Sequence, residues 1–164
     1  MENERTTVRD GIVVGLIGYA AVALFYTIFD FLASRGPLYT VNLLGKAVFR
    51  GLRDPSVLMF PQQWDVNAIL AYNALHLSIA LIIGIVVTSL ISAAQRKPSR
   101  LPLIRFVIVA GFFVTVTIVA ALTTPIRPLL PMWSIVTANL VAALLAAVYL
   151  INRHRGLWRQ LALA

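Results

Sequence analysis

Four uninterrupted apolar runs organise the chain: residues 11–33, 66–94, 106–124 and 132–151. Each holds about 20 residues or more, and a helix rising about 1.5 Å per residue crosses a hydrocarbon layer of roughly 30 Å in that length. The runs predict four membrane-spanning helices, the second long enough to tilt or to extend into the headgroups. All eight prolines (37, 55, 61, 98, 102, 125, 128 and 131) fall between the runs, which predicts continuous helices joined by turns.

Residues 34–65 form the one long connection. At about 100° per residue its centre, 40–53, gathers Val41, Leu44, Ala47, Val48 and Leu52 on one side and Asn42, Lys46, Arg50 and Arg53 on the other. That pattern predicts an amphipathic helix in the membrane interface, bounded by Gly36-Pro37 and Asp54-Pro55 and followed by Phe60 and Trp64 as interfacial anchors. Lys46, Arg50 and Arg53 then offer a surface to an anionic lipid or a partner, or are merely the polar side of a helix covering the mouth of the assembly. The expected fold is an all-α membrane protein: a four-transmembrane-helix bundle with an amphipathic interfacial helix between helices one and two, in a single domain over residues 1–164.

Composition supports the membrane reading. Of 164 residues, 60% are hydrophobic and 12% charged, with a mean hydropathy of +0.86. A soluble domain carries about 25% charged residues, so a water-soluble globule is excluded. The chain has no cysteine, which removes disulfides, thiolate metal sites, iron–sulfur clusters and cysteine nucleophiles. Its net charge of +8 is uneven: all six acids (Glu2, Glu4, Asp10, Asp30, Asp54 and Asp65) lie within residues 1–65, while residues 66–164 carry eight basic residues and no acid. In a soluble chain such a basic half suggests nucleic acid. At the ends of apolar runs it is explained by retention at the cytoplasmic leaflet, and no nucleic-acid partner is expected.

The connection at 95–100, QRKPSR, is far more basic than that at 124–131, TPIRPLLP. This places the former, and with it both termini, on the cytoplasmic side of what is expected to be a bacterial inner membrane. The first run is too long, and its N-terminal tail too mixed in charge, for a cleavable signal peptide. Residues 152–164, with Arg153, Arg155 and Arg159 beside Leu157, Trp158 and Leu161, read as a cytoplasmic anchor for the fourth span.

Polar side chains in the spans are the first candidates for function, because hydrocarbon makes them costly. They are Tyr26, Asp30, Asn73, His76 and Asn139, with Tyr19, Thr115, Thr117 and Thr137 as milder members. Counted along each span, Tyr26, Asn73, Thr117 and Thr137 lie roughly 9 to 11 Å below the outer boundary, and Asn139, Thr115 and His76 about 12 to 15 Å. Four helices thus feed one layer. It is either a pocket for an ion or small ligand, or a set of hydrogen bonds holding the helices in register at about 0.6 kcal/mol each. Asp30 is expected to be a snorkelling or salt-bridged carboxylate within reach of Arg35, Arg53 or Arg127. Gly11 and Gly15 make a GxxxG pair, and His76, Ala80, Gly84 and Thr88 a stripe at helical spacing; both mark helix contacts.

His76 raises the possibility of a haem ligand, but His154 is roughly 15 to 20 Å away in depth. No haem, zinc or other cofactor is therefore expected. No catalytic triad, phosphate loop or carboxylate pair can be placed at one depth, so no catalytic residue is expected either. The expected function is that of a multi-pass, non-catalytic accessory or assembly subunit or lipid-contacting scaffold. Its partners would be membrane lipids and a larger membrane complex or further copies of itself. The alternative is a small carrier or channel subunit with a pocket around His76; a further one is an intramembrane haem protein or enzyme.

Overall fold

A computed structural model describes residues 2–58 and 63–153; Phe60 and the predicted anchor segment from His154 onward, with Arg155, Leu157, Trp158, Arg159 and Leu161, lie outside the described residues. Among the described residues every regular element is helical: α1 (Glu2–Leu32), α2 (Tyr39–Phe49), α3 (Pro55–Leu58), α4 (Val66–Arg96), α5 (Leu101–Leu122) and α6 (Met132–Arg153). Four of them, α1, α4, α5 and α6, are long and apolar enough to cross a membrane.

The boundaries follow from local chemistry. Helix α4 starts where Asp65 accepts a hydrogen bond from the Ala68 N–H at 2.9 Å, a side-chain N-cap that satisfies one of the orphan donors of the first turn. Helix α5 starts at Leu101, ahead of its apolar run, and takes Pro102 into its first turn. The expectation that every proline lies between helices is corrected here, because first-turn N–H groups have no partner within the helix and a proline there removes nothing. Helix α2 stops at Phe49, earlier than predicted, because Gly51 adopts a left-handed φ of 67°. The Arg50 and Leu52 N–H groups then both turn back to the Lys46 carbonyl. Leu52 and Arg53 therefore lie beyond the helix.

Helix α1 is central, packing along α4 on one side and α6 on the other, whereas α5 is packed much more lightly. Small residues permit the α1–α4 approach. A Cβ on Gly84 would sit 2.3 Å from the Gly11 carbonyl oxygen and 2.5 Å from the Gly15 nitrogen, while Gly11 and Gly15 in turn face Ile85 and the Ala80–Leu81 backbone. The two helices therefore run antiparallel, the GxxxG pair seated on the α4 stripe within one chain. One turn beyond Gly84 the Thr88 hydroxyl is fully buried with no hydrogen-bond partner.

Along the spans only 17% to 22% of each most apolar window is buried, so most apolar side chains face outward, as a lipid-facing surface requires. The larger core lies at the end of the array where α1 finishes, here termed the distal end. There Tyr39, Leu43, Leu44 and Ala47 of α2 meet Leu58, Ile126, Leu130 and Ile135. A smaller cluster of Val14, Ile91 and Leu150 lies toward the N-terminal end.

The predicted sidedness of α2 is also corrected. Asn42, assigned to its polar side, is fully buried, while Val48 and Leu52, assigned to its underside, are exposed. Helix α2 is wedged between α1 and α4, and Gly45 lets it approach the Ala68 carbonyl closely. A wedged helix is contacted on several sides, which a two-sided pattern cannot describe.

Gly84→Ala is expected to lower unfolding stability in detergent by about 2 kcal/mol or more, since backbone on the facing helix must move. Gly18 has open space around the added carbon, so Gly18→Ala is expected to be neutral or stabilising by up to about 1 kcal/mol. Chemical unfolding followed by circular dichroism checks both.

Candidate functional site

The last turn of α1 places Asp30 beneath the start of α2. Its side chain is 1% exposed, and its carboxylate accepts from the Thr40 N–H at 2.6 Å and the Thr40 hydroxyl at 2.7 Å. Leu38, at the N-cap position of α2, offers no side-chain bond. Asp30 thus caps a neighbouring helix in place of the local residue and sets a negative charge against its positive end. The expected snorkelling or simply salt-bridged carboxylate is corrected to this capping role.

Arg35 completes the arrangement. Its guanidinium carbon lies 5.0 Å from the Phe29 ring centroid and 4.9 Å from that of Tyr39. It donates to the Leu129 carbonyl at 3.0 Å, and its charge acts on Asp30. One cation, held against two rings, joins α1, α2 and the connection before α6.

The cations assigned to a lipid or partner surface are divided. Lys46 donates to the Gln63 carbonyl. Arg50 forms a forked pair with Asp65, at 2.8 Å and 3.3 Å. Buried Asn42 receives the Asp65 N–H at 3.0 Å and donates to Gln63 at 3.1 Å. Lys46 and Arg50 thus fasten α2 to the N-cap of α4, and Arg53 remains exposed outside the helix. The Arg50 hydrogen bond, followed by the Ala68 N–H, holds the Asp65 carboxyl down at about 2.

The polar layer is only partly assembled. The Tyr19 hydroxyl donates to Asn73 at 2.8 Å, and the Asn73 amide donates to the Ile69 carbonyl at 2.9 Å. His76 lies between two rings, with centroids at 5.3 Å for Tyr19 and 6.1 Å for Tyr72. Tyr26 instead packs against the distal core, edge-on to Phe25 and Phe29. Asn139 turns back to its own Ile135 carbonyl at 2.8 Å, Thr115 to Gly111, and Thr117 is exposed. The glycine contacts bring Asn73 level with about Ala23, midway between Tyr19 and Tyr26. Of the two, Tyr19 is the partner of Asn73.

A second buried carboxylate was not singled out from the sequence. Asp10, also 1% exposed, accepts from the Tyr149 hydroxyl at 3.2 Å and the Arg153 Nε at 3.2 Å, tying α1 to α6 near the N-terminal end. The available signal is phase: Asp10 falls within about 40° of Val14 and Ala21, both buried, so its side chain points inward. Among the described residues no group of three or more histidine or acidic side chains can hold a metal ion.

No family model, curated protein or solved structure matches the chain, so its chemistry is read from the geometry.

Thr40→Val is expected to cost about 1 kcal/mol, and Asp30→Ala about 2 to 4 kcal/mol because it strips the cap and leaves Thr40 donors buried. Their double mutant should fall well short of the sum, as measured by unfolding in detergent. For Asp65 the folded value lies below the unfolded one of about 3.9. Its contribution is therefore full above pH about 4 and lost as pH falls toward 2. Arg50→Gln should flatten that acid-side loss in melting curves taken between pH 5 and pH 2.5.

Proposed function

We propose that the chain is a non-catalytic membrane scaffold, an accessory or assembly subunit built as a four-helix bundle with α2 at its outer mouth and both termini in the cytoplasm. The observation that carries this reading is the use made of the polar groups in the spanning helices. Asp10 joins α1 to α6, Asp30 caps α2, Tyr19 holds Asn73, and the Thr7 and Ser92 hydroxyls meet at 3.0 Å across α1 and α4. These groups connect helices to one another and favour a rigid frame over a polar path through the membrane.

Two surfaces suit lipid contact. Helix α5 is lightly packed and turns Phe106, Val109 and Phe113 outward. At the N-terminal end Arg5, Val8, Arg9 and Ile12 form an open, shallow surface with an almost wholly apolar lining. Two cations beside an apolar surface match an anionic phospholipid of the cytoplasmic leaflet, headgroup against guanidinium and acyl chain below. This surface replaces Lys46 and Arg50, which have partners within the chain.

Mild-detergent purification followed by mass spectrometry tests the reading: phosphatidylglycerol or a membrane partner should co-purify. Arg5→Gln with Arg9→Gln should lower lipid retention by tenfold or more, at about 1 kcal/mol per charge. Orientation is checked in intact cells, where a cysteine at Ser99 should resist an impermeant thiol reagent and one at Val57 should react. The reverse labelling, or solute flux through vesicles carrying the pure protein, would replace the scaffold with another reading.

A further inference from the structure

Among the described residues the Tyr72 hydroxyl and the His76 imidazole, one turn apart on one face of α4, keep no hydrogen-bond partner when the α1–α4 seam is paired. The Thr88 hydroxyl also lacks one but is sealed within the seam, whereas these two are not. Tyr19 is committed to Asn73 and Asn73 to Ile69. Tyr72 and His76 have ring neighbours but no hydrogen-bond partner among the described residues. Both are half-buried, their polar atoms are not sealed off, and beside them Leu75 and Ile79 are exposed.

Depth narrows what can meet them. His76 stands ten residues into α4, about 15 Å along the helix, where a spanning helix is surrounded by acyl chains. An unpaired polar group there costs several kcal/mol, and neither water nor a phospholipid headgroup supplies a partner at that level. A ligand that can must dissolve in the acyl phase and carry hydrogen-bond acceptors into it. The His76 ring is tilted 53° from Tyr19 and 35° from Tyr72, so the facet is aromatic and suits a flat ring.

We propose that the Tyr72–His76 facet of α4 binds the head of a lipid-soluble quinone, whose carbonyl oxygens accept from the Tyr72 O–H and the imidazole N–H while its tail lies along Leu75 and Ile79. Tyr19 and Asn73 are positioning residues that hold the imidazole at this face. The site goes beyond the scaffold reading and is independent of partner capture or orientation.

The test uses the full chain in phosphatidylcholine nanodiscs, with decylubiquinone as probe and decylbenzene, which lacks the carbonyls, as control. Bound probe is counted after gel filtration. About one decylubiquinone per chain should be retained in excess of decylbenzene. Tyr72→Phe, nearly identical in shape, and His76→Phe should each reduce retention by about tenfold, the worth of one buried hydrogen bond. Thr117→Ala, on the exposed side of α5, should change nothing. The ¹⁵N resonances of His76 should move on quinone addition in the wild-type chain and stay fixed in Tyr72→Phe only to the extent that retention is lost. Equal retention of the two probes, or unchanged retention in the folded Tyr72→Phe variant, overturns the site. So does a His76→Phe change that splits an oligomer while quinone retention is unaltered, which makes the facet a contact between copies.

Discussion

The absence of a side chain at Gly84 sets the register of the structure. With a hydrogen at that position the Gly11 carbonyl and the Gly15 backbone come into direct contact with α4. Everything along the seam follows from this alignment: the Thr7 and Ser92 hydroxyls meet near one end, and Tyr19 reaches Asn73 toward the other. The same alignment brings the last turn of α1 level with the start of α4. Helix α2 packs against both, and Asp30, on that last turn, is the group that receives its N-terminus.

The distal end is thus assembled from charge placed where the backbone offers the opposite partial charge. Asp30 faces the N–H groups of α2, and Asp65 faces those of α4 while holding Arg50. Arg35 binds a backbone carbonyl from between two rings. Each ion makes more than one contact and ties its own element to another, so a connection of more than thirty residues is held without a disulfide, which the cysteine-free sequence does not allow.

The spans were legible because length and apolarity are one-dimensional properties, and the Gly11, Gly15 and Gly84 spacing already pointed to close helix contact. The facing of each helix was not. Periodicity reports contrast between two surroundings, and a helix with lipid on one side and protein on the other is apolar on both. Helix α2 shows the same difficulty in a connection: Asn42 looked like a solvent-facing residue, yet it is buried because the Asp65 N–H and the Gln63 carbonyl satisfy it. Depth counting brings Tyr26 level with Asn73, yet Asn73 is bonded to Tyr19, because a long side chain reaches a full turn along the seam. Lys46 and Arg50 read as free charge because their partners, Gln63 and Asp65, are 15 or more residues away in the chain. Composition shows Asp10 only as one acid among six, and it is the phase it shares with buried Val14 and Ala21 that marks it as inward-facing.

Asp10 and Asp30 stand on the same helix, both 1% exposed and both tied to other elements. Twenty residues separate them, which is about 30 Å of helix and the thickness of a bilayer's hydrocarbon core. Helix α1 is in this sense a ruler with a fixed mark at each end. A thicker membrane would draw one carboxylate and its partners into the acyl chains, and a thinner one would leave apolar turns in water. Because both marks are bonded to other helices, α1 cannot adjust by tilting alone, and the whole array is matched to one bilayer thickness.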